Sequence, residues 1–122
     1  MLGDYKLLLE KFKKQNYSFV SFKEFDLEKE NQIILRHDID FDCSLAQRIA
    51  EIEYDFKISS TFFFLLTNNS YNLLSEENFK IVNNIKNLGH NISLHFDSSI
   101  YSRPSEGLIN EINVFYRQKD KS

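Results

Sequence analysis

The chain has 122 residues, of which 42% are hydrophobic and 15% aromatic, and its 15 basic and 18 acidic residues give a net charge of −3. This composition is typical of one folded domain with a hydrophobic core, and it argues against intrinsic disorder. The charges are spread along the chain without a basic stripe, so we do not expect nucleic acid as a partner.

The start of the chain, MLGDYKLLLEKFKKQNY, interrupts its apolar residues with charges and so lacks the continuous apolar core of a signal peptide. No segment of the sequence is apolar over the length that a membrane span requires. We therefore expect a cytoplasmic protein. Cys43 is the single cysteine, so any metal site is expected to use oxygen and imidazole ligands.

The first predicted element is a helix, with Asp4 as its N-cap and an apolar stripe from Tyr5 to Phe12, ending near Asn16. Three strand–helix units are predicted to follow it. The strands are expected at residues 33–35, 61–66 and 90–96, the second of them, TFFFLL, being central and covered on both faces. The three helices are expected to begin at Asp42 or Ser44, at Ser75 and after residues 103–105, and Gly89 is expected to end the second of them.

Alternating strands and helices predict an α/β fold with a parallel sheet and right-handed crossovers. Three strands make a thin sheet with exposed edges. We therefore expect residues 1–122 to form a single domain that is either an incomplete part of a larger α/β domain or self-associates through a free sheet edge.

Polar side chains follow each predicted strand, in the segments RHDIDFD, TNNSYN and HFDSS. Loops after parallel strands open at the same edge of a sheet, where binding and catalytic groups collect. If the first strand stays extended, Arg36, Asp38 and Asp40 share one face and His37 lies on the other; by the same alternation His95 and Asp97 share a face.

His90 lies five residues before His95, which places it on the opposite face and roughly 16 Å earlier at about 3.3 Å per residue. A structural role is therefore expected for His90, and likewise for Cys43.

Two carboxylates beside an apolar sheet repel each other unless a cation or hydrogen-bonding partners compensate them. A divalent metal could be held by one aspartate and an imidazole from a neighbouring strand, while the other aspartate accepts a proton from water. The simpler interpretation is that Asp38 and Asp40 pair with Arg36 and cap the next helix, and that His95 is structural. The presence of such groups on two strand ends favours a site.

The ordered segments LRHDID, ISSTFFFL, YN and NLGHNISLHFD resemble the N-terminal part of polysaccharide deacetylases (NodB homology, carbohydrate esterase family 4) over about residues 17–101. They are most similar to a branch with Arg-His-Asp-hydrophobic-Asp in place of a double aspartate. The resemblance implies the N-terminal part of an irregular (β/α) barrel. It also implies a divalent metal, usually zinc, and removal of acetyl groups from N-acetylated sugars or polysaccharides.

By this resemblance Asp38 is the general base, Asp40 a metal ligand, and His95 the first histidine of the family's His-x-x-x-His motif. The residue four positions after His95 is Ser99, so the chain departs from that motif. Asp97 is then the expected third ligand.

His37 is a less favoured substitute for the third ligand, because strand alternation places it on the opposite face. Tyr71 and Asn72, in the loop after the second strand, are expected to line the substrate groove. Members of the family continue through further strands that supply a catalytic acid histidine and an arginine, whereas no histidine follows His95 here.

Two other functions stay open. The segment DIDFD after an apolar strand also resembles the Asp-x-Asp motif of haloacid-dehalogenase-type phosphatases, which would make Asp38 a nucleophile and use magnesium. That mechanism gives His95 no role. The third alternative is a degenerate, non-catalytic domain that binds a sugar or only folds.

Overall fold

The computed structural model describes residues 2–40, 42–66, 68, 70–95 and 102–120. Within these ranges, helices alternate with parallel strands, as the sequence predicts. Helices α1 to α4 span Leu2–Lys14, Cys43–Asp55, Glu76–Asn87 and Pro104–Asp120. Strands β1 to β5 span Ser18–Phe19, Gln32–Ile33, Arg36–Ile39, Thr61–Leu65 and Asn91–His95.

Two of the predicted helix caps are confirmed. Asp42 caps α2, where its Oδ1 accepts hydrogen bonds from the backbone N–H groups of Ser44, at 2.9 Å, and Leu45, at 3.4 Å. Ser75 caps α3 by accepting a hydrogen bond from the backbone N–H of Asn78 at 3.2 Å. Such caps satisfy N–H groups that have no partner inside the helix.

The predicted N-cap of α1 is wrong, because the helix already includes Leu2 and so places Asp4 in its first turn. A carboxylate there still interacts favourably with the positive end of the helix dipole. The end of α3 agrees with prediction, since Gly89 adopts a φ of 93° just after the helix. A side chain at that left-handed conformation would be strained.

The strands form two small parallel sheets, a β1–β2 pair and a three-stranded sheet in the order β3–β4–β5. The first predicted strand, residues 33–35, is wrong in its bounds. Strand β2 ends at Ile33 and β3 begins at Arg36, so the central sheet starts with the polar segment rather than the apolar run. Over the described residues the sheets do not close into a barrel.

In the described part of the chain, one face of the three-stranded sheet is covered by helices and the other is only partly covered. Phe62 and Phe64 are fully buried in a core that also contains Ile92 of β5, Ile85 of α3 and Phe115 of α4. On the opposite face, Phe63 and Leu65 are only partly buried. The prediction that this strand is covered on both sides is therefore wrong for the described part of the chain, because a continuous apolar run does not reveal how many layers pack on it.

Helix α1 packs against a second, smaller cluster. Leu9 of α1 is buried with Ile52 of α2 and Ile58, and Phe19 of β1 packs on them. The β1–β2 pair and α1 thus form a layer beside the main core. None of the helices in the described ranges is long and apolar enough to cross a membrane.

Candidate functional site

The structure brings Asp40 and His95 together at the end of the central sheet. Asp40 follows the last residue of β3, and His95 is the last residue of β5, in register with Leu65 of the intervening β4. The Oδ1 atom of Asp40 lies 3.3 Å from the Nδ1 atom of His95. Parallel strands therefore place these two groups at one rim, as the alternation of the sequence predicts.

Among the described residues these two atoms have no hydrogen-bond partner, and they have almost no contact with solvent although both side chains are partly exposed. Their separation is within ion-pair range, but their orientation does not form a hydrogen bond. Shielded polar atoms normally have a partner, because leaving one unpaired costs about 1–3 kcal/mol. The pair is therefore an unexplained polar feature of this rim.

A shared metal ion would satisfy both atoms. Zinc binds carboxylate oxygen and imidazole nitrogen at about 2.0–2.2 Å, so two such ligands of one tetrahedral ion lie about 3.3–3.4 Å apart. The observed 3.3 Å between Asp40 and His95 fits this spacing. The donor set of one carboxylate and one imidazole fits zinc as well.

The expected third ligand, Asp97, lies outside the described residues, as does Ser99. Within the ranges that are described, no group of three or more His, Cys, Asp or Glu side chains is arranged to hold a metal ion. The described residues thus include two candidate ligands, Asp40 and His95. The assignment of Asp97 stays a prediction.

Asp38 shares the face of Asp40 but bonds to its own strand. Its Oδ1 accepts two hydrogen bonds from Arg36, at 3.1 Å from Nε and 2.7 Å from Nη2. The predicted structural pairing with Arg36 is therefore seen for Asp38, whereas Asp40 is directed to His95. An open cleft of about 300 Å³ borders Arg36, Asp38 and Asp40 and continues to Leu45 at the start of α2.

His37 points away from this rim, as alternation predicts. Its Nε2 lies 2.6 Å from Oε2 of Glu53 on α2, and its ring packs on Phe62 at 4.8 Å between centroids. His37 therefore belongs to the helix-covered side of the sheet. It does not reach the atoms of Asp40 and His95.

Sequence reasoning missed Glu53, a carboxylate with no solvent exposure. Its Oε2 accepts hydrogen bonds from His37 and from the Tyr5 hydroxyl, and its Oε1 accepts one from Ser60 at 2.6 Å. Burial raises the pKa of Glu53, but the bonds from His37, Ser60 and Tyr5 outweigh burial and lower that pKa below its usual value. The one feature of the sequence that could have indicated burial of Glu53 is its position four residues after Ile49, at the edge of the apolar face of α2.

His90 is buried and has a structural role in the described chain, as expected. Its Nδ1 accepts a hydrogen bond from the backbone N–H of Ser60 at 3.1 Å, so its Nε2 carries the hydrogen and donates to the Ala50 carbonyl at 2.9 Å. Cys43 is also buried, and burial raises the pKa of its thiol to about 12. The thiolate, which is the form that attacks and binds metal, is therefore scarce at neutral pH.

Tyr71 and Asn72 lie near the rim with their polar groups engaged. The Tyr71 hydroxyl donates to the Ile39 carbonyl at 2.5 Å and accepts from the Leu65 N–H at 2.8 Å, so it connects the ends of β3 and β4. Oδ1 of Asn72 accepts from the N–H of Leu74 at 3.0 Å. A substrate-contacting role for these two residues stays a prediction.

Comparison of the chain with protein-family models, with curated proteins and with solved structures gave no significant match.

Proposed function

We propose that the chain is the N-terminal part of a metal-dependent deacetylase domain of the polysaccharide deacetylase type, built on an irregular (β/α) barrel. Its substrate is an N-acetylated sugar or polysaccharide, and its location is the cytoplasm. The observation that carries the proposal is the shielded, unbonded pair of Asp40 Oδ1 and His95 Nδ1 at 3.3 Å. The ordered motifs around both residues support it.

Asp40 and His95 would hold the divalent metal, most favourably zinc, with Asp97 as the third ligand. The chemistry that zinc supplies at such a site is a water molecule that is acidic near pH 7 and a polarised acetamide carbonyl. Asp38, on the same face, accepts the proton of the attacking water. Oxygen of that water forms the new bond to the carbonyl carbon, the C–N bond breaks, and the proton passes to the leaving amine.

The first experiment measures zinc binding. Titration of metal-stripped protein with zinc, followed by calorimetry and by melting temperature, should show one site and a raised melting temperature. His95→Ala and Asp40→Asn should each weaken zinc binding by at least about tenfold. Asn91→Ala, on the same strand and the same face as His95, is the matched control and should bind zinc like the wild type.

Failure of zinc to bind, or equal affinity in His95→Ala and wild type, contradicts the proposal. Phosphorylation of Asp38 by acetyl phosphate in the presence of magnesium, with indifference to His95→Ala, would instead support the phosphatase mechanism. With zinc bound, release of acetate from N-acetylglucosamine oligomers tests turnover, and Asp38→Asn should lower it by about 10² or more while zinc stays bound. Binding of these oligomers without acetate release would indicate a non-catalytic domain.

A further inference from the structure

We propose that Arg36 is a positioning residue for Asp38. It holds one carboxylate oxygen of Asp38 and leaves the other free to accept the proton from water. This inference rests on the proposed function, in which Asp38 is the general base.

In the described part of the chain, only one of the two carboxylate oxygens of Asp38 accepts hydrogen bonds. Both the Nε and the Nη2 atoms of Arg36 bond to Oδ1, at 3.1 and 2.7 Å. In the described part of the chain no other group bonds to this carboxylate, so Oδ2 stays without a protein partner. Two donors from one planar guanidinium on a single oxygen fix the orientation of the carboxylate more narrowly than one donor would.

Arg36 itself packs on the aromatic ring of Phe63 on the neighbouring strand β4. Its Cζ atom lies 4.1 Å from the centre of the Phe63 ring, and Phe63 is the residue of β4 in register with Asp38. A cation over an aromatic face is attracted to it and loses rotamer freedom. The three side chains therefore form one unit on the open face of the sheet, two residues before Asp40.

Because the Arg36–Asp38 ion pair is largely exposed, its main effect is to orient the Asp38 carboxylate rather than to stabilise the fold. The Arg36 and Asp38 side chains are 51% and 40% exposed, and ion pairs at such exposure contribute little to stability. A carboxylate that must accept a proton from a defined direction benefits from a fixed rotamer, since misplaced catalytic groups lose rate steeply. The cleft that borders Arg36, Asp38 and Asp40 gives water and substrate access to this carboxylate.

The kinetic arm of the test compares Arg36→Gln with Arg117→Gln, the same change at an exposed arginine on α4. With zinc-loaded protein and N-acetylglucosamine oligomers, Arg36→Gln should lower kcat by about tenfold or more and leave KM and zinc affinity within about twofold. Arg36→Lys should restore part of the loss. Adding Arg36→Gln to Asp38→Asn should cause no further loss, because both changes act on one unit.

The spectroscopic arm does not depend on turnover. The Nε–H signal of Arg36 in nitrogen-15 spectra should be shifted and slow to exchange in the wild type, and ordinary in Asp38→Asn, while that of Arg117 stays the same in both. An unchanged kcat in Arg36→Gln, or a zinc affinity that falls as far as in His95→Ala, overturns the inference.

If the zinc-loaded wild type releases no acetate, the Nε–H signal of Arg36 shows whether the proposed function or the Arg36–Asp38 contact has failed. If the Arg36 signal is still coupled to Asp38, the proposed function fails and the contact is reduced to a surface ion pair, which overturns the positioning role. If the signal is ordinary, the contact itself is absent and the inference fails on its own terms.

Discussion

Glu53 is a buried carboxylate that connects separate elements of the fold. Tyr5 of α1, His37 of β3 and Ser60, just before β4, all bond to its two oxygens. Because a carboxylate can only accept, each of these groups must donate. The three donors replace the water that Glu53 loses on burial, and they attach α1 and the central sheet to α2.

Replacing Glu53 with Gln should destabilise the fold strongly. The amide nitrogen of glutamine is a donor, so it would face at least one of the donors Tyr5, His37 or Ser60 without an acceptor. Removing one partner of a buried charged group typically costs about 3–5 kcal/mol. Urea unfolding measures the loss, and Glu51→Gln, an exposed glutamate on the same helix, should change stability by less than about 0.5 kcal/mol.

The contribution of Glu53 should also depend on pH. Its hydrogen bonds lower its pKa in the folded state, so the stabilisation is complete above the unfolded value of about 4.3 and disappears as pH falls through the lower folded value. The difference in unfolding free energy between wild type and Glu53→Gln should therefore narrow below about pH 4. A difference that stays constant from pH 7 to pH 3 would contradict this linkage.

Contacts between residues close in sequence could be predicted, whereas the contacts of Glu53 with residues distant in sequence could not. Asp42 and Ser75 bond within three residues of themselves, so helix capping could be recognised from the sequence. Asp40 and His95 could be paired because parallel strands share an edge. The partners of Glu53 lie 48, 16 and 7 residues away, and no local pattern encodes such contacts.

At the scale of the elements, Tyr71 connects two strands at the rim of the sheet. Its hydroxyl bridges the Ile39 carbonyl at the end of β3 and the Leu65 N–H at the end of β4. Burial raises the pKa of this hydroxyl, which even at its ordinary pKa of about 10 is protonated at neutral pH and able to donate. Asp40 is the residue that follows Ile39, so this bridge also sets where the candidate metal ligand emerges.

Tyr71→Phe should therefore affect both stability and the candidate site. It leaves a backbone donor and a backbone acceptor without their partner, which costs about 1–3 kcal/mol each when they stay buried. We expect a lower melting temperature and weaker zinc binding than in the wild type. Tyr54→Phe, at an exposed position of α2, is the control and should change neither. A role limited to substrate contact would leave the melting temperature of Tyr71→Phe unchanged.

At the scale of the whole molecule, one face of the three-stranded sheet forms the hydrophobic core and the other carries the candidate site. Helices α2, α3 and α4 cover the face with Phe62 and Phe64, which provides the core. The other face presents Asp38 and Phe63 to solvent at least in part, and the pair of Asp40 and His95 lies at its rim. The candidate site thus stands on the side that the described helices leave open, where a substrate could reach it.

Helix α4 is apolar over a wider arc than the core uses. Its buried residues include Phe115, while the apolar side chains of Leu108, Ile109, Ile112 and Tyr116 are 37%, 59%, 37% and 42% exposed. Residues at these spacings fall on one face of a helix. Contiguous exposed apolar surface favours association, and a net charge of −3 provides little repulsion against it.

We therefore expect the purified chain to self-associate as its concentration rises, and Ile109→Glu to reduce that association. The substitution buries no charge in the monomer, since Ile109 is 59% exposed, so the fold should be retained. Asn110→Glu adds the same charge one residue away on the polar side of α4 and should associate like the wild type. Sedimentation at increasing concentrations measures the average mass. Equal dissociation of both variants would show that net charge controls association, rather than the apolar face.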